Sequence, residues 1–316
     1  MKRVLIVGCT GQDGSYLHEM AERRGDTVLG LARRMTRRTG EQPGPAIDIV
    51  DGTAVRDALA GFAADEIYYL AAYHHSSEQA QPETGELISR SFSTHVDGLV
   101  SFLEAMRTTA PQARLFYAAS SHIFGNPPHS PQTEATPFAP ISPYGISKAA
   151  GVEICRHYRR HHGLFCSTGI LYNHESPRRP AHFLSQRIVR TALAIRRGTA
   201  SRLTIGNLDA TVDWGYAPDY VDAMMRTLQT ATPDDFVVAS GRSSRVRDFV
   251  ACVFAQLSLD LSGQVVEDPS LVKKPEQGQI LLGDPAKLMA VTGWRPRHDL
   301  KDMARLMTEA ARDLDA

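Results

Sequence analysis

Val4-Leu5-Ile6-Val7 runs directly into Gly8-Cys9-Thr10-Gly11-Gln12-Asp13-Gly14, and an amphipathic stretch follows from Ser15 to Arg24. A short unbroken apolar run suits a strand buried on both faces, as in parallel sheets. Gly25 ends the helical pattern. Strand, glycine turn and helix at the head of a chain leave few folds open. Glycines spaced GxxGxxG permit a tight turn and the close approach of a diphosphate to the first N–H groups of the helix. Gly8, Gly11, Gln12, Asp13 and Gly14 are therefore the expected dinucleotide contacts.

The alternation continues down the chain. Thr27 to Leu31 reads as a second strand, and Ala32-Arg33-Arg34 follows where an NAD enzyme usually carries an acidic residue. Arginine at that point suits a 2′-phosphate, so Arg33 and Arg34 favour NADP over NAD. A third strand is expected to end at Asp48-Ile49-Val50-Asp51, with Asp48 toward the adenine. The fourth, Ile67 to Ala72, brings Leu70 and Ala71 to the cofactor. Tyr73-His74-His75 comes next; adjacent histidines with no acidic partner do not read as a metal site. The polar stretch from there to Thr94 is expected to be a long loop over the active site.

A helix from Val96 to Met106 and a fifth strand from Leu115 deliver Ser120 at a strand end. A proline-rich loop, Asn126 to Pro143, precedes a helix over about Ser142 to His162. Thr168 to Tyr172 is a sixth strand. The expected fold is α/β, a doubly wound parallel sheet of Rossmann type with a smaller interleaved mixed α/β lobe for the substrate. Residues 1–172, with returning segments at about 208–240, form the expected dinucleotide-binding domain. Residues 173–207 and 241–316 form the expected substrate lobe.

Tyr144 and Lys148 are four residues apart and share a helix face. An ammonium one turn from a phenol favours the phenolate, so the tyrosine is expected nearer working pH. With a hydroxyl from Ser120, the group can remove or return the proton of an alcohol while a hydride moves. Ser120, Tyr144 and Lys148 are the catalytic candidates, and the last two also border the cofactor.

Charge and cysteine usage exclude several classes. The 35 basic and 35 acidic side chains of the 316 cancel, so no basic footprint for nucleic acid is expected. The four cysteines are far apart in sequence with no CxxC, which reads as reduced thiols rather than a disulfide frame or zinc site. No run approaches the length of a membrane span, and the short apolar start reads as a strand rather than a signal peptide. A cytoplasmic protein is expected.

These motifs together resemble the extended short-chain dehydrogenase/reductase family, and within it the GDP-mannose 4,6-dehydratase branch. The matching runs are Thr10 to Leu17, Ser142-Pro143-Tyr144, Asn173-His174-Glu175-Ser176-Pro177-Arg178-Arg179, Gly206 to Asp209, Asp213-Trp214-Gly215 and Leu282 to Pro285. The resemblance implies bound NADP, reduced and reoxidised within one turnover, and a GDP-linked hexose as substrate. It implies oxidation at C4, loss of the C5 proton, departure of water from C6 and return of hydride to C6. It also implies a dimer or tetramer, and sugar-nucleotide contacts from Ser121, Asn173, Glu175, Arg179, Arg187 and Asn207.

The chain departs from the family pattern in places. The family's Thr-Ser-Glu run stands here as Ser120-Ser121-His122, so His122 takes the place of the acid/base glutamate. A histidine can both take and give a proton near neutral pH, which suits C5 epimerisation as well as elimination. Val212 stands where the family has a phosphate-binding arginine, and Lys273 and Lys274 are the expected compensation. The alternatives on this scaffold are a GDP-sugar epimerase, a 4-dehydrogenase or a 4-ketoreductase. A non-catalytic NADP-binding regulator is the alternative of a different class.

Overall fold

The computed structural model describes residues 1–38, 46–74, 83–272 and 280–313. Lys273, Lys274 and His75 lie outside the described residues. The chain opens with β1 (Arg3–Val7), α1 (Gln12–Arg23), β2 (Thr27–Ala32), β3 (Met35–Arg38), α2 (Gly52–Phe62) and β4 (Glu66–Tyr69). It continues through α3 (Thr84–Phe92), α4 (Gly98–Thr109), β5 (Arg114–Ser120), α5 (Pro143–His162), β6 (Phe165–Leu171) and β7 (Asn173–Glu175). The remainder is α6 (Leu184–Arg196), β8 (Leu203–Ile205), β9 (Thr211–Tyr216), α7 (Ala217–Thr227), β10 (Asp235–Val238), β11 (Ser243–Arg245), α8 (Val246–Gln256), β12 (Val265–Glu267), α9 (Ala286–Thr292) and α10 (Leu300–Asp313).

The main sheet has the order β10-β6-β5-β4-β1-β2-β3. Six strands are parallel, and β3 joins β2 antiparallel at the edge. The parallel strands are buried on both faces, which explains their unbroken apolar runs. One core lies on the face covered by α2, α4 and α5, and includes Leu5, Val7, Leu59, Phe102, Leu115 and Tyr117. The other, beneath α1 and α7, includes Val4, Ile6, Leu17, Tyr68, Phe116 and Tyr220. A third core, with Ile188, Leu203, Trp214, Phe249, Phe254 and Met307, sits among α6, α8, α10 and the short strands β8 and β9. The strand order reverses between β1 and its neighbours β4 and β2, so a crevice opens at their C-terminal ends.

Two expectations are corrected. Asp48 to Asp51 does not end a strand. The Asp48 carboxylate accepts from the Val50 N–H at 3.1 Å, and Asp51 caps α2 through the N–H groups of Thr53 and Ala54. Aspartate chemistry of this kind builds turns and helix starts, not strands. The stretch before Thr94 is not loop throughout, because α3 occupies Thr84–Phe92 and a π-helical turn follows at Ser93–Asp97. Asn173–Glu175 forms β7, paired in parallel with β9.

A buried charge cluster ties the N-terminal edge of the sheet together. Glu66 is 1% exposed and accepts from Arg24 at 2.8 Å, Gln229 at 2.7 Å and the Tyr68 hydroxyl at 2.8 Å. Lys2 donates to it at 2.5 Å. Burial works to raise the Glu66 pKa, but these donors outweigh it and hold the carboxyl below its ordinary range.

Candidate active site

Gly8 leaves β1 at φ +94°, in the region that favours glycine. A Cβ there would lie 3.0 Å from the Ala71 nitrogen and 3.1 Å from the Leu70 carbonyl carbon, so β1 and the end of β4 meet closely at the crevice. A Cβ on Gly14 would fall 2.3 Å from the Gly8 oxygen; glycine is what lets α1 start on top of the turn. The helix begins at Gln12, three residues earlier than its apolar pattern suggests, and Gly11 supplies no side-chain cap. Its first N–H groups thus face the crevice without a capping side chain, an arrangement suited to a diphosphate.

Arg33 and Arg34 are exposed in the turn after β2, and among the described residues neither has an ion-pair or hydrogen-bond partner. They are free to meet a phosphate there. Asp48 is also exposed on this side. The residues present thus fit a phosphorylated dinucleotide.

Gln12 and Asp13 are partly committed elsewhere. Gln12 donates to the His174 carbonyl at 3.2 Å and accepts from the Ser176 hydroxyl at 2.8 Å. The Asp13 carboxylate lies 3.0 Å from His174 Nε2, and His174 Nδ1 lies 2.7 Å from the Tyr172 carbonyl. With an acceptor at each nitrogen, the ring is held as an imidazolium. Burial disfavours that charge, but the Asp13 carboxylate outweighs it and the pKa of His174 is raised. Burial likewise tends to raise Asp13, yet His174 wins and lowers it. The Asn173–Arg179 run is thereby latched to the glycine turn.

Ser120 closes β5 in extended conformation, and its hydroxyl accepts from the His122 N–H at 3.3 Å. Ser142 caps α5 through the Gly145 N–H at 3.1 Å, and a Cβ on Gly145 would strike the His122 carbonyl oxygen at 2.5 Å. This contact seats Tyr144 beside Ser120 and His122. The Lys148 side chain is 1% exposed and donates to the Ala118 carbonyl at 2.7 Å. Its Nζ lies 5.8 Å from the centre of the Tyr144 ring.

The expected phenol–ammonium pairing is corrected here. Burial pushes the Tyr144 phenol up to about 12, with the Ser120 hydroxyl and the Arg179 charge opposing that rise. Burial also brings Lys148 down to about 7. Desolvation acts on both groups and disfavours the phenolate and the ammonium alike.

Three histidine rings stand edge-on to Tyr144. Their centroids are 5.0 Å away for His74, 5.2 Å for His95 and 5.6 Å for His122, at interplanar angles of 85–88°. His95 was not among the sequence candidates. It sits in the π-helical turn, and such turns often mark functional sites. Its Nε2 accepts from the Tyr73 N–H at 2.9 Å, so Nδ1 carries the proton toward the Ser147 hydroxyl at 2.7 Å. Burial, then Lys148 and His74, hold it neutral.

The adjoining cleft has a volume of about 780 Å³. His74, His122 and Tyr144 line one end, with Asn173, Glu175, Arg179 and Arg187 on the wall. Glu175 accepts from the Ser185 hydroxyl at 2.5 Å and lies 3.3 Å from Arg179 Nε. The Arg179 guanidinium stacks 3.7 Å from the centre of the Phe183 ring. Asn207 lines the cleft too, but its carbonyl oxygen is used locally, accepting from the Asp209 and Ala210 N–H groups. Val212 and Trp214 make the far wall apolar. Ser121 is buried at 4% exposure and does not line the cleft, so its expected substrate contact is not supported.

Among the described residues no group of three or more ligating side chains is placed to hold a metal, and no helix is long and apolar enough to cross a membrane.

Comparison with known proteins agrees with this geometry. A GDP-mannose 4,6-dehydratase of Arabidopsis thaliana is 34% identical, covering 98% of this chain and 86% of that protein. The corresponding protein of Cricetulus griseus is 33% identical, covering 98% and 91%. The solved structure of RMD from Pseudomonas aeruginosa complexed with NADPH superposes with a TM-score of 0.83 at 20% identity, covering 99% of this chain and all of that one. At that identity the likeness speaks for the fold. The family model described as GDP-mannose 4,6 dehydratase matches residues 5–307, and the chain belongs to that family.

Proposed function

We propose that this chain is an NADP-dependent nucleotide-sugar enzyme that oxidises C4 of a GDP-hexose and then acts at C5 and C6, as in GDP-mannose 4,6-dehydration. The observation that carries the reading is the meeting of Ser120, Tyr144 and His122 at one end of a cleft whose wall bears Arg179 and Arg187. Family membership and relatives named GDP-mannose 4,6-dehydratase support the substrate class.

The glycine turn, the start of α1, Leu70 and Ala71 would hold the dinucleotide, with Arg33 and Arg34 on the 2′-phosphate and Asp48 toward the adenine. When bound, the nicotinamide supplies hydride acceptance at C4 and hydride return at C6. The Tyr144 phenol holds the proton that the C4 hydroxyl must lose and regain. Ser120 hydrogen-bonds to it, which favours the phenolate. Lys148, brought down to about 7 by burial, can hold or release a proton near working pH beside the tyrosine. His122 takes the C5 proton and passes it to the departing C6 oxygen, in place of the carboxylate expected from the family pattern. Arg179 and Arg187 offer charge-assisted hydrogen bonds to the diphosphate.

The seven-stranded unit, residues 1–172 with returning segments at about 208–240, is assigned to the cofactor. Residues 173–207 and 241–316 are assigned to the sugar nucleotide. A homo-oligomer and a cytoplasmic location are inferred from the family alone. Incubation with GDP-mannose and NADP, followed by mass spectrometry, tests the reading. Loss of one water supports dehydration. Unchanged mass with solvent deuterium gained moves the assignment to epimerisation. No change for any GDP-hexose rejects it.

A further inference from the structure

We propose that His74 is a second proton-transfer residue of the cleft, acting with His122 on the carbon beside the transient 4-ketone. The inference rests on the reading above, in which that ketone forms.

The histidines near the cleft divide into two kinds. His95 and His174 have both ring nitrogens committed to protein partners. His74 and His122 do not: among the described residues neither imidazole has a hydrogen-bond partner. Both residues keep accessible surface while protein surrounds their rings, and both line the cleft. They arrive from different places, His74 just beyond β4 and His122 in the short helical turn after β5. Yet both stand edge-on to Tyr144, at 5.0 and 5.6 Å. His74 is fixed in place by stacking on Phe183, 5.5 Å between centroids at 27°. A ring held by packing, with open nitrogens in a reaction cleft, is arranged for proton transfer.

The charge environment agrees. The protein massed around the cleft pushes His74 down to about 3, and His122, Arg179, His182 and Lys148 push the same way. His122 is lowered by burial. Both imidazoles are therefore neutral at rest and able to accept a proton.

The step balances without any change of oxidation state. Neutral His122 takes the proton from the carbon beside the ketone, leaving an enolate and an imidazolium. In elimination the enolate expels the C6 oxygen, which leaves as water with the proton from His122, and once hydride has returned to C6 a solvent proton relayed by His74 joins the carbon beside the ketone. In epimerisation the proton relayed by His74 joins the enolate directly, and His122 releases its own proton to solvent. Both rings end neutral. A lone acid/base can return the proton it removed, whereas two separate rings bring in a solvent proton each time.

The test uses the full-length enzyme with NADP and a panel of GDP-hexoses in D2O. It follows reduced-nicotinamide absorbance and deuterium at C5. Wild type should gain one full deuterium per converted sugar. His74→Ala should still give the absorbance burst, while deuterium gain falls about 10²-fold. Added imidazole should restore the exchange in His74→Ala, which a packing role would not allow. His74→Gln, which keeps a polar side chain, should be as slow as His74→Ala and controls for lost shape. Exchange at the wild-type rate in His74→Ala overturns the proposal, as does failure of imidazole to rescue while the burst persists. No burst from wild type with any GDP-hexose instead overturns the functional reading, and this inference with it.

Discussion

Lys148 stands one helical turn from Tyr144, yet its ammonium donates to the Ala118 carbonyl at 2.7 Å and lies 5.8 Å from the tyrosine ring centre. The two groups share a buried environment that opposes charge on either. Neutral phenol and near-neutral amine form a low-charge pair at rest.

A buried amine is costly to the fold, so Lys148→Met should stabilise the protein and impair it catalytically. The Lys148 pKa falls from 10.5 to about 7. Between those values the unfolded chain holds a proton that the folded chain has released. The lysine's destabilising effect therefore shrinks as pH rises through that window. The melting temperature of Lys148→Met should exceed that of wild type by a few degrees at neutral pH, with the gap narrowing toward pH ~10. Hydride transfer should fall about 10²-fold or more. A variant no more stable than wild type at neutral pH would contradict the burial argument.

The Asp13–His174 pair predicts a stability maximum with two limits. His174 is raised, so its contribution is complete below its ordinary value of 6.5 and is lost as pH climbs through the folded value. Asp13 is lowered, so its contribution is present above 3.8 and is lost as pH falls through its own folded value. Thermal melts of wild type and His174→Gln across pH should differ most between those limits, by about 2–3 kcal/mol. Parallel pH curves for the two proteins would count against the latch.

Arg33 and Arg34 should set the cofactor preference. Isothermal titration is expected to give tighter binding of NADP than NAD. Replacing both arginines by alanine should weaken NADP by about 10-fold or more, the loss of a charge-assisted contact of 1.5–3 kcal/mol, with NAD little affected. Equal affinities in wild type would end the assignment.

The sequence carries the sheet because its pattern is local. Val4 to Val7 and the glycines that follow specify strand, turn and helix within a few residues, and Ser142 marks the start of α5 by capping chemistry alone. Other features depend on distant parts of the chain. Nothing around His95 marks it; its role emerges when Tyr73 and Ser147 close on its two nitrogens. Spacing alone makes Lys148 a cation beside a phenol, and spacing does not report the burial that lowers it. The turn at Asp48 is written locally, since aspartates at 48 and 51 carry turn and cap chemistry that outweighs a short apolar pair. Helix α3 was obscured by its few apolar residues: Leu87 faces the cleft while Ile88 is exposed.

The central claim is that the Tyr144 hydroxyl carries the proton of the C4 alcohol. Single-turnover absorbance of reduced nicotinamide, comparing wild type with Tyr144→Phe under saturating NADP and GDP-hexose, tests it most directly. The variant should bind cofactor as wild type does and show no burst; a burst of undiminished rate and amplitude would contradict the account.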